Sequence, residues 1–229
     1  MIKLERTSVM NLENAIRGAR NPMNSWNRMD SVYKTWEEGA KDVYDESFKS
    51  ADESYKYYVL GENDLGLAVR LRKAGSDHRK YIRQIFVSVD ITAPLYWWKE
   101  YDTYKVSTTA NSTSTMHKLS SKPITMSDIS CDKMSPDMFK ATQIYLGVIE
   151  CKRQDYLAES DPVLKKQYWY DMIQSLPSSW NQTRTCTMSY ENLVNMYHAR
   201  KNHKLDEWHV FCDWIATLPY AKELIICED

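Results

Sequence analysis

The stretch from Asp77 to Ser114, DHRKYIRQIFVSVDITAPLYWWKEYDTYKVSTTANSTS, carries the strongest local patterns in the chain. Within it, Ile85-Phe-Val-Ser-Val-Asp-Ile91 alternates apolar and polar residues on the way to Pro94, the period of a half-buried strand. The aromatic run Leu95-Tyr-Trp-Trp98 follows, then the polar run Thr108 to Thr115, which is poor in helix formers and predicts a loop or extended segment. Upstream, Asp64 to Arg83 reads as helical, with Leu65, Ala68, Val69, Leu71 and Arg72 separating an apolar side from a basic one. Gly75-Ser76-Asp77 interrupts that helix and predicts a cap for a second one starting near His78.

Downstream, Ser135-Pro136-Asp137 is a helix start, with serine as the cap and proline in the first turn. The helix is predicted to run to about Leu157, with Met138, Ile144, Tyr145, Val148 and Ile149 turned inward. Asp161-Pro162 repeats the signal for a helix ending near Leu176-Pro177. From about Tyr190 to Thr217 the positions Leu193, Met196, Tyr197, Leu205, Trp208, Cys212 and Ile215 recur at helical spacing and predict one long helix. Residues 1–60 show weak periodicity, and Arg17 to Trp26, with Asn21-Pro22 inside it, reads as a loop. There is no internal repeat and no Gly/Ser or Pro linker, so the expectation is one α+β domain over 1–229, rich in helix with a modest sheet.

Composition bounds the function. The 229 residues carry 30 Lys+Arg against 31 Asp+Glu, a net charge of −1, which argues against a general nucleic-acid binder. Eight Trp and 16 Tyr supply enough buried area to exclude a disordered chain. No apolar run reaches the ~18 residues of a membrane span. The first 20 residues lack a signal-peptide core, so the expected location is cytoplasmic, with no membrane partner. The five cysteines, without a CxxC pair, read as reduced thiols packed as small core residues.

Several chemistries are absent. The five histidines (78, 117, 198, 203, 209) form no HExxH, and no metal site is expected. GxSxG, GxGxxG and GxxxxGK[ST] are missing, which removes the serine-hydrolase elbow and the common dinucleotide and triphosphate loops. Three features are left. Arg200, His203 and Lys204, at i, i+3 and i+4, would share a helix face suited to a phosphate, or equally form a solvated face balanced by Asp206 and Glu207. The run Lys105 to Thr115 offers many hydroxyl and amide donors to a ligand, as does any surface loop. Trp97, Trp98, Tyr101 and Tyr104 suit stacking on a planar ring or packing in a core.

The order of these features along residues 64–220 resembles the flavin-dependent thymidylate synthases, leaving 1–63 as a divergent segment. That family has a Gly-His pair before a strand, a signature RHRxxSxNxxSxR, an LP turn, and a helix bearing a Leu-Arg pair. His78 falls on the family histidine without a gap through Pro94. Asn111 and Ser114 fall on the signature's Asn and second Ser, and Leu176-Pro177 leads without a gap to Arg200 on the family arginine. Here the RHR triplet is Thr103-Tyr104-Lys105, the final signature Arg is Met116, and the family's Asn-x-Arg before the helix is Ser189-Tyr190-Glu191. The resemblance implies a small, mainly antiparallel sheet, a homotetramer with shared sites, and methylation of dUMP to dTMP. It implies FAD as cofactor, with NADPH and methylenetetrahydrofolate as co-substrates. His78, Lys105 and Asn111 would face the cofactor, and Ser114, Arg200 and Arg184 would hold the nucleotide; no side chain is assigned as a covalent catalyst. The alternative is a nucleotide-binding protein on the same scaffold that sequesters or senses without turnover.

Overall fold

A computed structural model describes residues 2–227. The chain divides into two compact units. The larger comprises Leu4–Asp90, Tyr104–Thr109 and residues 186–227; the smaller comprises residues 2–3, Ile91–Thr103 and Ala110–Thr185. The principal sheet has four strands: β1 (Lys3–Met10), β4 (Phe86–Pro94), β6 (Asn181–Ser189) and β5 (Thr109–Ser112), in the order β1-β4-β6-β5. Its strands are antiparallel. On β4 and β6, Ser88 meets Thr187 and Thr92 meets Thr183, so the partner index falls by four as the strand index rises by four. The predicted alternation holds along β4, where Val87, Val89, Ile91 and Ala93 are all fully buried.

In the larger unit, α1 (Leu12–Arg20) buries Leu12, Ala15 and Ile16, and its final residue Arg20 is buried too. Arg17–Arg20 therefore close a helix, and Asn21–Met23 and Trp26–Arg28 form 3₁₀ turns, which corrects the expected loop. Two short strands, β2 (Val32–Lys34) and β3 (Tyr57–Val59), pair antiparallel with Val32 opposite Val59. Beneath them lies a small cluster of Ala40, Tyr57 and Val59 with Trp36, Tyr44 and Phe48. Helix α2 (Glu62–Lys73) ends before Gly75, whose φ of 103° lies in the left-handed region that glycine enters freely. The second helical segment is a 3₁₀ helix, Arg79–Gln84, with His78 at its N-cap as the spacing predicts.

The long helix predicted for 190–217 is two helices, α7 (Tyr190–Arg200) and α8 (Asp206–Ala216). The residues between Tyr197 and Leu205, HARKNHK, offer no large apolar side chain, so two further turns would bury nothing. The chain turns instead, and the Leu205 N–H donates to His203 Nδ1 at 3.2 Å. Arg200, His203 and Lys204 consequently do not share a helix face.

In the smaller unit, α3 (Leu95–Tyr101) buries Trp97, Trp98 and Tyr101, with Trp97 stacked on Tyr101 at 5.3 Å. Those aromatics are core. After the short α4 (Thr115–Lys118), α5 (Pro136–Ala158) and α6 (Pro162–Gln174) pack as a helical hairpin over Leu119, Ile124, Ile129 and Trp180. Asp161 caps α6 by accepting from the N–H groups of Val163 and Leu164. Of the α5 residues expected inside, only Ile149 is buried; Met138, Ile144, Tyr145 and Val148 are exposed. At 23 residues α5 outruns the 13 of α6, and its apolar residues go all round, so periodicity could not choose the packed face. Among the described residues no helix is long and apolar enough to cross a membrane.

Candidate nucleotide and flavin site

In the larger unit, α7 acts as a rail for three of the expected site residues. At its first turn, the Ser189 hydroxyl accepts from the Asn192 N–H while the Asn192 amide oxygen accepts from the Ser189 N–H, a reciprocal cap. Glu191, in that turn, takes a two-pronged grip from Arg79, with Nε at 3.0 Å and Nη2 at 2.9 Å. This anchors the segment that begins with the exposed His78. Asn192 Nδ2 also donates to the Val106 carbonyl at 2.9 Å. At the other end of α7, Arg200 Nε donates to Tyr104 Oη at 2.8 Å. The Arg200 guanidinium carbon lies 5.3 Å from the Tyr104 ring centroid and 5.0 Å from that of the buried Trp208. Lys105 sits between the two anchored residues, Tyr104 and Val106, with its side chain exposed.

His78, Lys105 and Arg200 are thus strung along one helix rather than gathered at a point, since Glu191 and Arg200 are roughly 14 Å apart along α7. Beside the same helix opens a cleft of about 630 Å³ lined by Arg72, Lys73, Arg79 and His198 among others. Arg72 is buried there and donates to the carbonyls of Leu224 and Ile225 at 2.9 and 3.2 Å. Carbonyls orient its guanidinium without cancelling the charge.

The smaller unit carries the remaining expected residues. Asn111 is exposed on β5. Ser114 caps α4, accepting from the His117 N–H at 3.2 Å, and lines a cleft of about 290 Å³ with Lys118, Lys122 and Thr183. Arg184 is engaged by its own unit: Nη1 lies 3.0 Å from Asp102 Oδ1, Nε donates to Gln182, and the guanidinium carbon stands 4.1 Å from the Trp98 ring centroid. Sequence reasoning missed Tyr104 as part of the frame of Arg200, because residues 96 apart share no local pattern, and missed Trp208 because it expected one unbroken helix through both residues. It also missed β6, whose only signal is Thr183, Thr185 and Thr187 alternating with the buried Cys186 and Met188.

Cys186 is buried, and burial pushes the Cys212 thiol up to about 11, so neither of these is set up as a nucleophile. No group of ligating side chains suited to a metal occurs among the described residues.

No family model and no curated protein matches the chain by sequence. Solved structures do match. Thymidylate Synthase X (ThyX) from Helicobacter pylori, solved with FAD and dUMP, superposes with a TM-score of 0.65, covering 98% of this chain and 97% of that one at 13% identity. The chain has the ThyX fold. A second H. pylori ThyX complex with FAD and dUMP gives a TM-score of 0.60 at 13% identity, covering 97% of each chain. The UMP/dUMP methylase PolB from Streptomyces cacaoi, bound with 5-Br dUMP, gives 0.57 at 12% identity, covering 99% of this chain and 95% of that one. The likeness spans nearly the whole ThyX fold, the segment 1–63 included.

Proposed function

We propose that the chain binds a pyrimidine nucleoside monophosphate of the dUMP type and methylates its uracil ring, with FAD as cofactor and methylenetetrahydrofolate and NADPH as co-substrates. The observation that carries the reading is the meeting of Tyr104 with Arg200. These positions are 96 residues apart; in the resemblance Arg200 falls on the family arginine and Tyr104 stands in place of the signature's histidine. Arg200 would hold the phosphate through its planar fork, oriented by the Tyr104 hydroxyl and flanked by two rings.

The residues available to FAD fit its chemistry. His78 and Lys105 are exposed imidazole and ammonium donors, and the cleft beside α7 carries Arg72, its guanidinium held by backbone carbonyls, a basic setting for a pyrophosphate. Reduced FAD would supply the electron pair; the chain binds, orients and matches charge. Assembly as a homotetramer belongs to the same proposal.

A second reading, binding without turnover, draws support from two other arginines. Arg184 is matched by Asp102 and Arg79 by Glu191, so neither guanidinium offers an uncompensated charge to a phosphate. A visible absorption scan with and without FAD, followed by dUMP titration, separates the readings. Turnover predicts a bound-flavin spectrum that dUMP perturbs; nucleotide binding with no flavin spectrum at saturating FAD supports the binder. Arg200→Ala should weaken dUMP roughly tenfold or more under both. Unchanged affinity would remove Arg200 from the pocket. His78→Ala should impair flavin-dependent turnover, and normal turnover would remove His78.

A further inference from the structure

A second cleft, of about 520 Å³, opens in the larger unit where the end of β1 and the first turn of α1 meet β2 and the segment leading into β3. Its volume lies in the range of small-molecule sites. None of its residues belongs to the α7 site. Aromatic rings form its walls, and the protein's own bonds hold them. Tyr44 Oη donates to the Tyr58 carbonyl at 2.8 Å, and Tyr57 Oη donates to the Phe48 carbonyl while accepting from the Ser50 N–H. Tyr33 packs edge-on against Tyr58 at 5.1 Å and Tyr55 edge-on against Tyr57 at 4.8 Å, yet both Tyr33 and Tyr55 are about half exposed. Two rings fixed in place with open surface on one cleft make a stacking platform.

The polar groups narrow the ligand. Tyr33 Oη donates to Glu13 Oε2 at 2.8 Å, and that bond raises the Tyr33 hydroxyl above its ordinary value, so it remains a donor and holds the carboxylate. An ionised carboxylate has about four lone-pair sites, so Glu13 can still accept two further parallel N–H bonds. Lys56 adds an exposed ammonium to the same cleft. Among planar nucleobases, uracil places one N–H between two carbonyls, and adenine and cytosine pair an amino donor with a ring acceptor. Only guanine presents two adjacent donors, N1–H and the 2-amino group, along one edge. We propose that this cleft is a guanine-nucleotide site, with the base stacked on Tyr33 and Tyr55, its donor edge read by Glu13 and its phosphate met by Lys56.

Equilibrium dialysis of the full chain against labelled GMP tests this, with AMP and dUMP as competitors. GMP should bind, and neither competitor at equal concentration should displace it. Glu13→Gln should weaken GMP roughly tenfold or more, because it replaces a carboxylate acceptor with an amide. Lys56→Ala, at an exposed position that leaves the fold intact, should weaken GMP but leave guanosine unchanged. No GMP binding by the wild-type chain would overturn the proposal, and so would equal affinity for AMP. Loss of GMP binding in Arg200→Ala, or displacement of GMP by dUMP, would also overturn it by moving the nucleotide to the α7 site. Failure of dUMP to bind anywhere would count against the proposed methylation and leave this site standing.

Discussion

Replacing Arg20 with alanine removes the cation from a buried cluster that organises the first third of the chain. Arg20 Nε donates to Asp64 Oδ1 at 2.6 Å, and Nη2 lies 2.6 Å from the same oxygen. The side chains are 4% and 0% exposed, so neither charge reaches bulk water. The other carboxylate oxygen accepts from the N–H groups of Asp30 and Ser31 at 3.1 and 3.0 Å and from the Ser31 hydroxyl at 2.5 Å. Burial alone would push the Asp64 carboxyl up, but the Ser31 hydroxyl, Arg20 and the two backbone donors together outweigh it and hold it below its ordinary value. Without Arg20 the burial cost is no longer offset by a counter-charge. Breaking such a pair costs about 3–5 kcal/mol, a fall in Tm of about 6–20 °C for a chain of this size. Urea and thermal denaturation followed by circular dichroism measure it. The companion exchange Arg20→Met with Asp64→Leu should cost less than Arg20→Ala, because no lone charge is left inside. A loss below about 1 kcal/mol for Arg20→Ala would refute the argument, since only a solvated pair is that weak. The sign with pH follows from the lowered carboxyl. The stabilisation is present above the unfolded value of about 3.9 and is lost as pH falls through the lower folded value.

Three further outcomes are expected. Gly61→Ala places a Cβ 2.3 Å from Asp30 Cγ and 2.5 Å from the Asp30 carbonyl oxygen, and Asp30 caps α2 through the N–H groups of Asn63 and Asp64. Overpacking there should cost about 1–3 kcal/mol in urea denaturation, and a neutral result would mean the turn relaxes freely. Glu150 is held down to about 2, chiefly by Arg153 and further by the Ile124 N–H and Gln154, against the opposing effect of burial. Its contribution is therefore full above about 4.3 and lost as pH falls toward 2, and Glu150→Gln should flatten the stability profile in that window. A thiol reagent at pH 8 should label the exposed Cys151 first and Cys186 and Cys212 last; rapid modification of Cys212 would contradict its burial.

Much of the chain was legible locally. The alternation through Ile85–Ile91, the Asp161-Pro162 start, the break at Gly75 and the restart at His78 depend on one residue's neighbours, and each appears where its pattern put it. The order of His78, Asn111, Ser114, Leu176-Pro177 and Arg200 sufficed to suggest the fold that the solved structures share at 12–13% identity. What the sequence withheld depends on partners far along the chain. Arg17–Trp26 reads as a loop on its Asn21-Pro22 turn signal, and only Asp64, 44 residues after Arg20, lets Arg20 be buried as the end of a helix. The apolar residues of α5 ring the helix, so packing against α6 and against Leu119, Ile124 and Ile129 decided which of them are covered. Arg184 and Arg200 are the same residue type in similarly polar surroundings. Tertiary contacts tie the first to Asp102 and frame the second between Tyr104 and Trp208. Periodicity reports which faces of an element are apolar, whereas the neutralisation of a charge and the burial of a face are set by what the folded chain brings against them.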